Sequence, residues 1–190
     1  LLLLHGAGSS LEQWRENLTA FAQERPVYAL DLLGFGGSHK VACPLNTDLW
    51  VAQVAAFWRT FLRRPMILMG HSLGALVALQ SATSHPDDAL VDGFVRPTRE
   101  RGAARTFCYL VKSRTSDSFS PQTRDLIPVL HVPTLLLWGK CDRVIPIAWG
   151  RYVNTLSAQL TFVEVADAGH YFYDEQAPGL RDLNEQWQTG

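Results

Sequence analysis

One stretch constrains this chain more than any other: Met66-Ile67-Leu68-Met69-Gly70-His71-Ser72-Leu73-Gly74. An apolar run of strand length ends at Gly70, a serine follows between two glycines, and an amphipathic helical pattern begins at once. A serine held on so sharp a turn needs neighbours without bulk, because strand and helix approach closely there and only glycine removes the clash. The turn lifts the Ser72 hydroxyl clear of the backbone. It also aims the first amides of the next helix at the place where an oxyanion would form.

Around this elbow the pattern alternates strand and helix, which argues for a parallel sheet covered on both faces. Ser10 is placed to cap a first helix with Leu11, Trp14, Leu18 and Phe21 on one face. Asp48 is placed to cap a second, with Val51, Val54, Ala55, Trp58 and Leu62 as its stripe. The elbow helix runs from about Ser72 to Ser84 and stops before His85-Pro86. A last helix begins near Glu175 and buries Leu180, Leu183 and Trp187.

The length of 190 residues suits one domain, 1–190, with a real core. A net charge of −1 with both signs interspersed gives no basic block, so nucleic acid is not an expected partner. No apolar run approaches the roughly 20 residues that span a membrane. Cys43, Cys108 and Cys141 are scattered and odd in number, which argues against a disulfide framework and against a metal site. A reducing, cytoplasmic setting is the expectation.

Four further motifs follow the elbow's logic of an apolar run leading into a loop. Leu1–Leu4 lead into His5-Gly6-Ala7-Gly8, and Val27–Leu30 into Asp31-Leu32-Leu33-Gly34-Phe35-Gly36-Gly37-Ser38. Thr134–Trp138 lead into Gly139-Lys140-Cys141-Asp142, and Thr161–Val165 into Asp167-Ala168-Gly169-His170. With the elbow, this ordered set resembles the α/β-hydrolase family, and the chain order Ser72, Asp142, His170 matches that fold. The resemblance implies an α/β fold with a mostly parallel sheet and helices on both faces. It further implies Ser72 as nucleophile, His170 as general base, Asp142 as the acid that orients it, and the amides of Ala7 and Leu73 as oxyanion donors. Asp167, three residues before His170, is the nearest rival acid but is poorly placed to reach the far ring nitrogen.

The expected activity is cleavage of a small-molecule carboxylic ester by acyl transfer through Ser72 to water, with no cofactor. Carbon–carbon bond hydrolases and perhydrolases of the same fold also keep the serine, and a non-catalytic ligand-binding remnant is the rival from another class. Phe35, Trp149 and Tyr171 are expected as pocket walls, although Trp138 and Trp149 more commonly belong to a core. His5, His71, Asp31 and Ser38 are expected to shape their loops, and Cys141 to be a buried, inert thiol.

Two departures from the family pattern stand out. The strands that usually precede the His-Gly loop are absent, which leaves a sheet edge expected to favour self-association. The region 86–132 reads as a reduced cap. Within it, Phe94–Ala104 looks like the late cap segment of cap-bearing hydrolases from photosynthetic organisms. Leu90–Val95 fits either a core strand or a cap helix with Leu90, Val91, Phe94 and Val95 on one side; the helix is expected, leaving a gap in the sheet beside the elbow strand. A short cap predicts an open site that favours small esters.

Overall fold

The computed structural model describes residues 1–23, 25–40, 42–84, 93–94 and 123–170; of Gly93, Phe94, Thr123 and Arg124 it describes the backbone. Six strands form one sheet: β1 (Leu2–Leu4), β2 (Tyr28–Leu30), β3 (Leu68–Gly70), β4 (Gly93–Phe94), β5 (Thr134–Gly139) and β6 (Leu160–Val165). Their order across the sheet is β2-β1-β3-β4-β5-β6, and every pairing is parallel.

The inner strands β1, β3 and β5 read as near-continuous apolar runs because both faces are covered. Side chains alternate between those faces. Leu2, Leu4 and Leu68 enter a cluster with Trp50, Val54 and Val77. Leu3, Met69, Leu135 and Leu137 enter the opposite cluster with Trp14 and Phe21. Burying each such leucine is worth about 1.5–3 kcal/mol.

Ser10 caps a 3₁₀ turn over Leu11–Trp14, its hydroxyl accepting from the Glu12 amide, and the turn continues into α1 (Arg15–Phe21). The second helix, α2 (Thr47–Phe57), is capped by Asn46, whose carbonyl Oδ1 accepts from the Leu49 amide at 2.9 Å. Asp48, the expected cap, lies inside the first turn instead. There its carboxylate accepts from Gln80 at 2.5 Å and ties α2 to α3 (Leu73–Ser84). Asx residues compete for the same capping role, and the one that precedes the first helical residue wins. α2 then loosens into a π turn over Trp58–Leu62, closed by Arg63 at φ 48°. Further on, α4 (Thr123–Leu126) and a 3₁₀ turn (Ile127–Val129) feed β5, and α5 (Ile147–Asn154) joins β5 to β6.

The helix and sheet gap expected around Leu90–Val95 are overturned at Gly93 and Phe94. These residues pair with Leu68 and Met69 on one side and with Thr134 and Leu135 on the other. A short apolar run fits a buried strand as well as a helix, and periodicity cannot separate them. The sheet decides, because without a strand here β3 and β5 would keep unpaired backbone groups in the core. The remainder of the expected cap, 86–92 and 95–122, and the helix expected from Glu175 lie outside the described residues.

Gly74 is where the fold tolerates least. A Cβ there would run into the carbonyl oxygen of Leu4 and come within 2.6 Å of that of His5, both main-chain atoms. Gly74→Ala is therefore expected to lose about 3 kcal/mol or more, read as a shift in the urea midpoint; an unshifted midpoint would contradict this packing.

Candidate active site

The strand order reverses around β1, which has β2 on one side and β3 on the other. In an open parallel sheet, the crevice at the carboxyl ends of such strands is where ligands bind. The loop His5–Ser9 leaves β1 at that end, and the elbow leaves β3 beside it. Asp142 follows β5 and His170 follows β6, so all four loops rise from the same end of the sheet.

Ser72 sits at φ 51°, in the left-handed region, which for a non-glycine residue costs about 1–3 kcal/mol. Its environment enforces the turn. A Cβ on Gly70 would collide with the carbonyl of Gly74 and the Cα of Ala75. The Ser72 carbonyl accepts from the amides of Ala75 at 3.0 Å and Leu76 at 3.2 Å, which starts α3 directly behind the side chain. Among the described residues, no protein acceptor takes the Leu73 or the Ala7 amide.

His5 is buried at the start of its loop. Its Nδ1–H donates to the Gly6 carbonyl at 2.7 Å, and its Nε2 accepts from the Leu32 amide at 3.0 Å. Only the neutral Nδ1–H tautomer satisfies both contacts. Burial pushes its pKa below the ordinary 6.5, against smaller opposing contributions from the Gly6 carbonyl and Asp31. Asp31 clasps two loops through one carboxylate, accepting from the Leu11 amide at 2.6 Å and the Gly37 amide at 2.8 Å. The Ser38 hydroxyl donates to the Asp31 main-chain carbonyl at 2.6 Å. Asp31 and Ser38 thus shape their loop.

The acid and histidine loops are zipped together. Cys141 N–H donates to the Ala168 carbonyl and Lys140 N–H to the Val165 carbonyl, each at 2.9 Å. Gly139 permits this approach, since a Cβ there would enter the carbonyls of Ala168 and Gly169. Trp138 steadies the far side by donating its indole N–H to the Ile145 carbonyl at 3.0 Å.

Within this frame Asp142 Oδ1 accepts from the Val144 and Ile145 amides at 2.8 Å each, and Oδ2 faces His170 Nδ1 at 2.7 Å. Both side chains are buried. Burial pulls the His170 pKa below 6.5, and the Asp142 hydrogen bond and charge oppose that only in part. With Nδ1–H donating to Asp142, Nε2 of the neutral ring is an acceptor. The ring centroid of His170 lies 6.3 Å from that of His71, the residue before Ser72. The rival acid, Asp167, is exposed at φ 52°.

The three loops that carry Ser72, Asp142 and His170 therefore converge, and the His5 loop packs against the elbow through Gly74. Phe35 is buried, its ring against His5 at 5.6 Å and Trp50 at 6.0 Å between centroids. Trp149 belongs to no core. It is 59% exposed and meets Tyr152 ring to ring at 6.2 Å, because the start of α5 turns this face to solvent. Cys141 is exposed rather than buried, since its backbone, not its thiol, joins the zipper. Tyr171 lies outside the described residues. Sequence reasoning passed over Gln13, a buried polar side chain whose Oε1 accepts from the Gly6 amide at 3.0 Å; its only signal was a polar residue next to Trp14 in an apolar stripe.

Comparison with known proteins agrees with this frame. A model of the alpha/beta hydrolase family matches residues 1–108. The chain belongs to the alpha/beta hydrolase family. Among curated relatives, it is 39% identical over 90 residues to the 1-acylglycerol-3-phosphate O-acyltransferase ABHD5 of Rattus norvegicus, covering 45% of this chain and 26% of that protein. It is 36% identical over 110 residues to the (Lyso)-N-acylphosphatidylethanolamine lipase of Homo sapiens, covering 52% of this chain and 32% of that protein. The matches thus span about a quarter to a third of those relatives' length. A bacterial membrane phospholipase A structure superposes with a TM-score of 0.85 at 22% identity, covering 100% of this chain and 78% of that one. This likeness shows the fold that the α/β-hydrolase chain shares with it. Among the described residues, no helix is long and apolar enough to cross a membrane, and no group of three His, Cys, Asp or Glu is placed to hold a metal ion.

Two of the buried histidines, His5 and His170, make stability pH-dependent. Each has a folded pKa below its unfolded value of 6.5, so the unfolded chain binds more protons in between. Their contribution is complete above 6.5 and is lost as the pH falls through that window toward the folded values. Melting temperature is expected to drop between about pH 7 and about pH 5; a flat profile would contradict two neutral buried imidazoles.

Proposed function

We propose that the chain is a serine hydrolase that cleaves a carboxylic ester by acyl transfer through Ser72 to water. The observation that carries this reading is the buried 2.7 Å contact between Asp142 Oδ2 and His170 Nδ1, made across 28 residues and beside a strained serine elbow. The motif order, the family membership and the lipase among the relatives support it.

In this reading the Ser72 oxygen attacks the ester carbonyl carbon, and its proton passes to His170 Nε2. Asp142 keeps the ring in the tautomer that can accept that proton and stabilises the imidazolium. The oxyanion is held by the Ala7 and Leu73 amides, each donor worth about 3–4 kcal/mol in the transition state. Collapse breaks the bond to the leaving alcohol, which takes the proton from His170. Water then attacks the acyl-enzyme, His170 takes its proton, and the acid leaves as Ser72 regains its own.

A second reading differs only in the last step. One relative's name describes an acyltransferase to an acylglycerol phosphate, and an acyl-enzyme of this kind can pass its acyl group to an alcohol as readily as to water. Separating free acid from acylated acceptor in the products, with glycerol-based alcohols present, distinguishes the two.

Intact-mass labelling with a fluorophosphonate tests the shared chemistry. One adduct is expected on the wild type and none on Ser72→Ala; an unlabelled protein that still melts cooperatively would favour a non-catalytic binding module. Asp142→Asn is expected to lower kcat about 10³- to 10⁴-fold while leaving the fold intact. In a pH–rate profile, kcat/KM is expected to fall on the acid side with a midpoint below 6.5, since His170 must be neutral to act.

A further inference from the structure

We propose that Gln13 is a positioning residue for the oxyanion-binding amide of Ala7, an inference that rests on the role given above to that amide. The Ala7 N–H and the Gly6 carbonyl belong to one planar trans peptide and point in opposite directions, so whatever holds the carbonyl aims the amide. The Gly6 carbonyl accepts from His5 Nδ1 at 2.7 Å and from the Ser9 amide at 3.2 Å. The preceding peptide is held separately: its Gly6 N–H donates to Gln13 Oε1 at 3.0 Å, away from solvent. Between the two planes stands a glycine, which by itself leaves their relative rotation free.

Among the described residues, two side-chain hydrogen bonds tie His5 and Gly6 to residues beyond this loop. The Leu32 amide acts through the His5 ring, and Gln13 grips the main chain directly. Gln13 is well mounted for that. Its 3₁₀ turn is capped by Ser10, its Leu11 amide is bound to Asp31, and its neighbour Trp14 is wholly buried. The Gly6 donor also fixes which way the Gln13 amide faces, since its NH₂ end would oppose another N–H. That NH₂ end has no partner among the described residues. A buried amide with one end unsatisfied is a poor filler for this position, where an apolar side chain would pack without desolvation loss. What the glutamine adds is the acceptor on Gly6.

The test compares wild type, Ser72→Ala, Gln13→Met and Gln13→Glu on a short p-nitrophenyl ester, together with inhibition by a trifluoromethyl ketone that forms a tetrahedral adduct. Methionine keeps the length without the acceptor; glutamate keeps the acceptor. A misaimed oxyanion donor weakens transition-state binding alone, so Gln13→Met is expected to lower kcat about tenfold with KM within about twofold of wild type. Ketone affinity should fall in step with kcat, and Gln13→Glu should recover most of both. Should Gln13→Met fail to fold, Gln13→Asn, one methylene too short to reach Gly6, is read on the same scale. Wild-type kcat in the folded variant, or a loss of kcat without a loss of ketone affinity, would overturn the inference while Ser72-dependent turnover in the wild type still stands. Absence of that turnover would instead overturn the hydrolase reading, and this inference with it.

Discussion

The rest of the molecule depends on how closely α3 can lie against β1 and β3. Gly70 meets Gly74 across the elbow, and Gly74 meets the carbonyls of Leu4 and His5 across the next strand. That three-way approach leaves no room for a side chain. It forces Ser72 out of the ordinary backbone regions and sets the first turn of α3 behind it. It also sets the His5 loop, because the same contact pins the end of β1. Strain at Ser72 of about 1–3 kcal/mol is offset by the leucines of β1 and β3, which are buried on both faces of the sheet.

The acid side of the site follows a second device of the same kind. β5 and β6 run together in register from Thr134 and Leu160 to Gly139 and Val165, and the ladder continues into the loops through Lys140 and Cys141. Main-chain bonding thereby brings the Asp142 and His170 loops together independently of the contact between their side chains. Asp142 accepts hydrogen bonds from its own loop as well as facing the imidazole, so its position does not rely on the histidine. Burial then removes the His170 proton near neutral pH, which suits a base more than a charged partner.

Most of this frame was legible in the residues. Apolar runs ending at Gly70, Gly139 and Val165 marked the strands, and the loops after them marked the site, because short-range chemistry of glycine, serine and aspartate fixes such turns. What escaped was set by tertiary context. Phe94 reads equally as strand or helix until β3 and β5 are seen to need a partner. Asn46 and Asp48 are both good caps, and only the helix start separates them. Trp149 reads as pocket wall or core, yet its helix turns it outward to 59% exposure. Gln13 carried little signal beyond its polarity beside Trp14, since its meaning lies in a main-chain amide seven residues away.

The place of β4 between β3 and β5 has a mechanical consequence. Ser72 and the His5 loop stand on the β2-β1-β3 half of the sheet, whereas Asp142 and His170 stand on β5-β6. Among the described residues, Gly93 and Phe94 rivet the two halves of the sheet to each other. One of those rivets is a glycine, the residue that stiffens a strand least. How the Ser72 and His170 loops stand to each other across the crevice thus depends on this seam as much as on either half, and substitutions far from the crevice that loosen the seam would act on both at once.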